Sequence, residues 1–278
     1  MKPNALQTLI EATSRMLRVA IAGVLTLSAC GCFPFPRPAR PEILALYEKA
    51  RVQYQRGNFD AALHDYLRIL EMGRLSPALL FNIGNCYYRR GDLPRAILFY
   101  RWASYLAPSD PDIQANLQFV LSRCSAEPPP ADRLPIRLLR RISLLQWGAI
   151  LVAAYWALCF AGALYLISQR KSALLRFAIS TLAALLLLAA AGMAAWSPLF
   201  RHPEAVVIAP NTQVNYAPLP RSTTRFYLPQ GTIVRLIREQ SGWSRISAGS
   251  HGVGWVRSDR IIPIPPVFPR SLHSLYPP

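Results

Sequence analysis

Residues 46–111 repeat themselves at a period of 34 residues. Arg56-Gly57-Asn58-Phe59 recurs as Arg90-Gly91-Asp92-Leu93, and around that anchor Tyr54 pairs with Tyr88, Ala62 with Ala96, and Tyr66 with Tyr100. A fixed period of this length is the mark of a helix–turn–helix repeat, whose helix pairs bury their apolar faces only by stacking on the next pair. A stack of this kind presents a continuous surface along its length. Such a surface holds another chain, so a scaffold or adaptor comes before an enzyme.

The second copy resembles the tetratricopeptide repeat through Leu80, Ile83-Gly84, Tyr87, Gly91, Ala96, Tyr100, Ala103 and Pro108. Gly84 and Ala96 are small where two helices must cross closely, and Gly91 lets the chain turn between them. Tyr87 and Tyr100 fill the gap between helices, and Pro108 follows a helix that it cannot continue. The first copy is weaker, with Lys49-Ala50 in place of Ile83-Gly84 and Arg74 in place of Pro108. Asp110-Pro111 then opens a capping helix running to about Cys124. Two repeats and a cap fall short of the roughly three repeats usual in a free-standing stack, so the groove is small or completed by a partner. On the wheel of this repeat Tyr47, Arg51, Tyr54, Phe81, Asn85, Tyr88 and Arg89 line the concave face. That mixture suits an extended acidic or amide-rich peptide; the alternative is that some of the tyrosines only pack between helices.

Hydrophobic residues make up 52% of the 278-residue chain, a high share for a soluble protein. Most of the excess lies in residues 142–169 and 177–200, which hold no charged side chain. Each run exceeds the roughly 20 residues that cross a bilayer. Only a short basic loop around Arg170 and Lys171 parts them, so they predict a transmembrane hairpin of helices 142–169 and 174–200. Trp147 and Trp196 fall near one end of each span, at the depth that amphipathic rings favour. Ala183, Ala184, Ala189, Ala190, Ala191, Gly192, Ala194 and Ala195 allow close helix packing in lipid. Ahead of everything, Arg15 and Arg18 lead into the apolar stretch 19–29, which has the form of a signal sequence. It ends Leu27-Ser28-Ala29-Cys30, similar to the lipobox of bacterial lipoproteins, in which Cys30 takes the lipid. By parity, an exported start and a hairpin leave both terminal domains on the outer face of the cytoplasmic membrane. Arg170, Lys171 and Arg176 suit a cytoplasmic loop, whereas Arg133, Arg137, Arg140 and Arg141 at the outer entrance run against the positive-inside rule.

The net charge of +17 does not point to nucleic acid. Residues 41–127 carry ten basic and nine acidic side chains, and the surplus gathers in the leader, beside the spans and near the C-terminus. That distribution fits a chain held against anionic lipid.

The prolines divide the chain further: a leader 1–29, a Pro-rich spacer 30–41, repeats 42–126, a Pro/Arg linker 127–141, and a Pro-rich tail 263–278. Residues 204–262 read as all-β. Ala205-Val206-Val207-Ile208 is a short apolar strand, Ile233-Val234-Arg235-Leu236-Ile237 alternates, and Gly242-Trp243-Ser244-Arg245-Ile246 and Gly252-Val253-Gly254-Trp255-Val256 each join a glycine turn to a tryptophan-bearing strand. This order resembles the bacterial SH3-like barrel, in which Trp243 and Trp255 are core residues first and groove-lining residues second. The fold class is therefore multidomain: α-helical repeats, a two-helix transmembrane hairpin and a small all-β SH3-like barrel.

No enzyme signature accompanies these elements, and the residues call for no metal, cofactor or small-molecule substrate. His64, His202, His251 and His273 share no ligand spacing, and no phosphate loop or paired carboxylates are present. Cys30 and Cys32 do not form a redox CxxC, and Cys159 lies within a span. Cys86 and Cys124 form either a disulfide or two separate buried thiols.

Repeats, hairpin and barrel in this order resemble the BatE-type proteins of bacterial aerotolerance operons. The resemblance is sharpest over Phe81-Asn82-Ile83-Gly84-Asn85-Cys86-Tyr87-Tyr88-Arg89-Arg90-Gly91-Asp92-Leu93-Pro94-Arg95-Ala96-Ile97 and over Pro108-Ser109-Asp110-Pro111-Asp112-Ile113-Gln114-Ala115-Asn116. It implies an inner-membrane protein, with both terminal domains on the periplasmic side, beside membrane relatives with von Willebrand A-type domains, in an assembly or stress-tolerance role. Two function classes follow. One is a non-catalytic membrane-tethered scaffold that holds envelope proteins in its repeat groove. The other is a wall-binding module whose barrel grips peptidoglycan peptides.

Overall fold

The computed structural model describes residues 41–124, 134–168 and 172–265. The leader, Cys30, the spacer prolines ahead of Pro41, the run 127–132, Arg170-Lys171 and the tail beyond Pro265 lie outside the described residues. Five helices open the described residues: α1 (Pro41–Gln55), α2 (Phe59–Glu71), α3 (Pro77–Arg89), α4 (Leu93–Leu106) and α5 (Pro111–Arg123). They are the two repeats and the cap. Their starts are written in the sequence. Ser76 accepts from the Leu79 amide at 3.1 Å, Asp92 from Arg95 at 3.1 Å, and Asp110 from Asp112 and Ile113 at 3.0 and 3.2 Å, each with a proline in the first turn. These side chains satisfy amides that a helix start leaves without partners. Gly57 and Gly91 both turn at positive φ, +84° and +82°, which side-chain-bearing residues rarely adopt.

Within the second repeat Gly84 lies against Tyr100 so closely that a Cβ there would stand 2.7 Å from the ring. The corresponding Ala50 of the first repeat is fully buried. A small residue is needed at both crossings, and the weaker first copy keeps it.

After the short helix α6 (Leu134–Leu139) come two long apolar helices, α7 (Leu144–Ile167) and α8 (Ala173–Ala194), packed as an antiparallel hairpin. At 24 residues, α7 is about 36 Å long, enough to cross a hydrocarbon layer of about 30 Å. Its start is fixed by a capping box between Ser143 and Gln146. Phe160, Leu166, Leu174, Phe177 and Leu187 point outward with more than half their surface bare. Trp147 and Trp196, assigned by sequence to a headgroup belt, are enclosed by protein. They are 4% and 5% exposed, buried between the hairpin and the repeats. Gly192 lies flat on the Trp147 ring, and the Trp147 indole N–H donates to the Leu139 carbonyl at 2.8 Å. Trp196 meets Tyr105 edge to face. The chain bends at Ala195–Trp196, where Pro198 starts the short helix α9 (Ser197–Arg201).

The C-terminal domain is one antiparallel sheet of β1 (Glu204–Val207), β2 (Thr212–Asn215), β3 (Thr224–Leu228), β4 (Ile233–Gln240), β5 (Trp243–Ser247), β6 (Val253–Arg257) and β7 (Ile261–Pro263). Its order is β3-β2-β6-β5-β4-β1-β7. Val207, Val214, Leu228, Val234, Ile246 and Val256 form its own core. Val206, Ile233, Ile262 and Ile264 instead join the core of the repeats, with Trp147, Ala189 and Trp196. The repeat domain, the open end of the hairpin and the β domain thus share one apolar junction. Both folded domains stand at the same end of the hairpin.

Candidate functional site

Two surfaces bear on function: the face made by α1, α3 and α5, and the seam between α4 and β1. The first follows from the repeat geometry. Asn82 of α3 donates to the Tyr47 hydroxyl of α1 at 2.7 Å. Tyr88 of α3 meets Phe119 of α5 edge to face at 5.9 Å. The first helix of each repeat and the cap therefore form one continuous face.

The seven residues assigned to this face by sequence are spread along it. Tyr47 is half-buried and also touches the Tyr66 ring. Arg51 is exposed and pairs with Glu48 on its own helix at 2.7 Å. Tyr54 is half-buried and meets Phe59 edge to face. Phe81 packs on Tyr100, and the Asn85 side-chain oxygen accepts from the Tyr100 hydroxyl at 2.6 Å. Tyr88 is half-buried, and the exposed Arg89 lies 4.6 Å over the Phe59 ring, beside Tyr54. Tyr54 and Arg89 come together around Phe59. Arg51 stands apart on its own helix, and Phe81 and Asn85 turn toward α4.

Two residues that sequence reasoning passed over belong to this face. Phe119 is 45% exposed, and Arg123 lies 5.2 Å over its ring. With Tyr88 they make an aromatic and cationic patch. The signal was available, since Phe119 and Arg123 are four apart on the capping helix and share a side.

The second surface has no sequence signature. Glu204, the first residue of β1, is 1% exposed. Arg101 of α4 grips its carboxylate with two hydrogen bonds, from Nε at 2.8 Å and Nη2 at 3.0 Å, and the Tyr105 hydroxyl donates at 2.9 Å. Burial alone pushes the Glu204 carboxyl up, but the Arg101 charge and these donated bonds outweigh it and hold the carboxyl below the usual carboxylate range. Next to this pair, Gly231 turns at φ +82° against Ile97 of α4 and Cys124 at the end of α5.

Cys86 and Cys124 are separate, buried free thiols rather than a disulfide. Burial pushes the Cys86 thiol up to about 12 and raises Cys124 as well. Neither offers a thiolate at neutral pH.

Trp243 and Trp255 are not core residues. In β5 and β6 the alternate residues Ser244, Ile246, Gly254 and Val256 are buried, which leaves both tryptophans half-buried on the opposite face. The pleat decides this: side chains alternate, and the apolar core took the other phase. Among the described residues no group of three His, Cys, Asp or Glu side chains is placed to hold a metal.

Stacked helix pairs with a continuous first-helix face define a helical-repeat protein. Residues 47–111 match the family model described as tetratricopeptide repeat. Such repeats bind other proteins and are not typically catalytic. A comparison with curated proteins finds no match.

Proposed function

We propose that this chain is a membrane-anchored scaffold that holds envelope protein partners on the α1–α3–α5 face. One observation carries the reading. Ten of the fourteen residues of α4 are buried, because α3 and α5 cover its inward side and β1 and the hairpin its outward side. The first-helix face, unlike that of α4, is open to a partner, and it carries the Tyr88–Phe119 patch with Arg89 and Arg123. Aromatic anchors rimmed by arginine suit an acidic segment of a partner chain. The bare apolar belt of α7 and α8 supports insertion of the hairpin in a membrane. Two folded domains at one end of it fit a chain with both outside the cytoplasm.

The finer form of this reading is a BatE-like role beside membrane proteins of the von Willebrand A type, with the β domain an SH3-like module. The test is capture of partners from detergent-solubilised membranes. Tyr88→Ala with Arg89→Ala should reduce it at least tenfold, by the size of anchor effects, with helicity unchanged. Capture equal to the parent chain would remove the groove from the account.

A further inference from the structure

The sequence reads residues 127–141 as a Pro/Arg linker, yet within that stretch the short helix α6 is tied to the open end of the hairpin. The Leu139 carbonyl at its end accepts from the Trp147 indole at 2.8 Å, and Arg140 Nε donates to the Ala195 carbonyl at 2.9 Å. The Ser109 hydroxyl, between α4 and α5, donates to the Arg141 carbonyl at 2.6 Å. Trp147 belongs to the first turn of α7, and Ala195 directly follows α8. The end of α6 is therefore level with the open end of the hairpin. Its six residues span about 9 Å, so the whole helix stays close to that level.

One side of this segment is covered, because Leu139 and Ile142 pack on the shared core. The other side is bare. Leu134 and Leu138, four apart and so on one side of α6, are 65% and 53% exposed, and Leu145 in the first turn of α7 is 64% exposed. A single bare leucine is ordinary on a protein surface. Three of them at the end of two bare apolar helices continue the same belt. Arg137, Arg141 and, on α9, Arg201 are exposed around them. The length of α7 exceeds the hydrocarbon layer by about 6 Å, which sets its ends among the headgroups.

We infer that α6 lies on the membrane, with Leu134 and Leu138 at the boundary of headgroups and acyl chains, so the partner of this surface is the bilayer itself. The inference rests on insertion of the hairpin. A helix with a polar and an apolar side occupies that boundary without crossing it. Arginine suits the same depth, since its stem covers apolar surface while its guanidinium meets lipid phosphate. The arginines at the entrance to the first span then have a use that does not assign that entrance to the cytoplasm. Through Ser109 the same segment holds the repeats at a fixed height over the bilayer, where a free linker would let them swing.

Photocrosslinking to lipid tests this placement. The full chain carries a photoreactive residue at position 138, 160 or 119 and is reconstituted in nanodiscs of phosphatidylcholine and phosphatidylglycerol. Phe160 reports on the span and Phe119 on the repeat face. Lipid adducts should form from positions 138 and 160 and be absent from 119. Adducts from 160 without 138 would overturn the placement of α6 and leave the hairpin in the membrane; none from 160 would remove both. Adducts from 138 to a second copy of the chain, in place of lipid, would also overturn it. Leu134→Ser with Leu138→Ser, at exposed positions that leave the core untouched, gives a second measurement. Tryptic cleavage after Arg137 in nanodiscs should rise about tenfold or more as two leucines lose their apolar surroundings. Equal cleavage of parent and variant would contradict the inference.

Discussion

Helices α2 and α4 occupy equivalent places in their repeats, yet one faces solvent and the other is enclosed. The 34-residue offset sets His64 against Leu98, Asp65 against Phe99, Arg68 against Trp102 and Glu71 against Tyr105. Tyr66 and Tyr100, which pack inward, are unchanged. His64, Arg68 and Glu71 are exposed and Asp65 is buried in its pair with Lys49, whereas Leu98, Phe99, Trp102 and Tyr105 are buried among apolar neighbours. The inward half of each helix builds the repeat; the outward half decides what the repeat meets. In α2 it meets water. In α4 it meets β1 and the hairpin, and the cation Arg101 on that side is matched by Glu204. One repeat template thus serves as a free end and as a docking element.

The largest break in this comparison comes from the buried pair. Glu204→Gln leaves the Arg101 charge uncompensated and should cost about 3–5 kcal/mol, read as earlier denaturant unfolding of the β domain. His64→Ala and Arg68→Ala on α2 should each fall within about 0.5 kcal/mol of the parent. Trp102→Ala, which empties a fully buried site, should cost about 3–5 kcal/mol; its counterpart Arg68 marks the contrast. The same pair predicts an acid response. Because the folded Glu204 carboxyl lies below its unfolded value, its contribution is complete above about pH 4. It is lost as pH falls through the lower, folded value, and Glu204→Gln should remove that part of the acid dependence. Gly84→Ala should cost about 1–3 kcal/mol, because the added carbon presses on Tyr100. Asn82→Ala, which removes the bond to Tyr47 between the first helices, should cost about 1 kcal/mol.

Local signals were the ones legible in the sequence. Gly84, Gly91 and Pro108 marked the repeat because each answers a steric demand within one helix pair. The two long apolar helices were legible because charge-free runs have few other uses. The strand Thr212–Asn215 was not, since Asn211, Thr212 and Gln213 carry no apolar alternation, and Asn211 enters it at a positive φ of 46°. Tryptophan was ambiguous in both domains. Trp147 and Trp196, drawn to the headgroup depth, are also covered by protein; of the two places open to Trp243 and Trp255, core or groove lining, both lie off the core. A bulky aromatic says that a large contact exists, while its partner is set by elements distant in the chain. The Arg101–Glu204 pair joins positions 103 residues apart. No spacing rule reaches that far.

Photocrosslinking in intact cells tests the central contrast most directly. A photoreactive residue replaces Phe119, His64 or Leu98 in turn. The account predicts adducts with another membrane-associated protein from position 119, adducts only within the chain from position 98, and little of either from position 64. Partner adducts from position 64 with none from position 119 would contradict it, because the stack would then meet its partner on the face where α2 lies open to water.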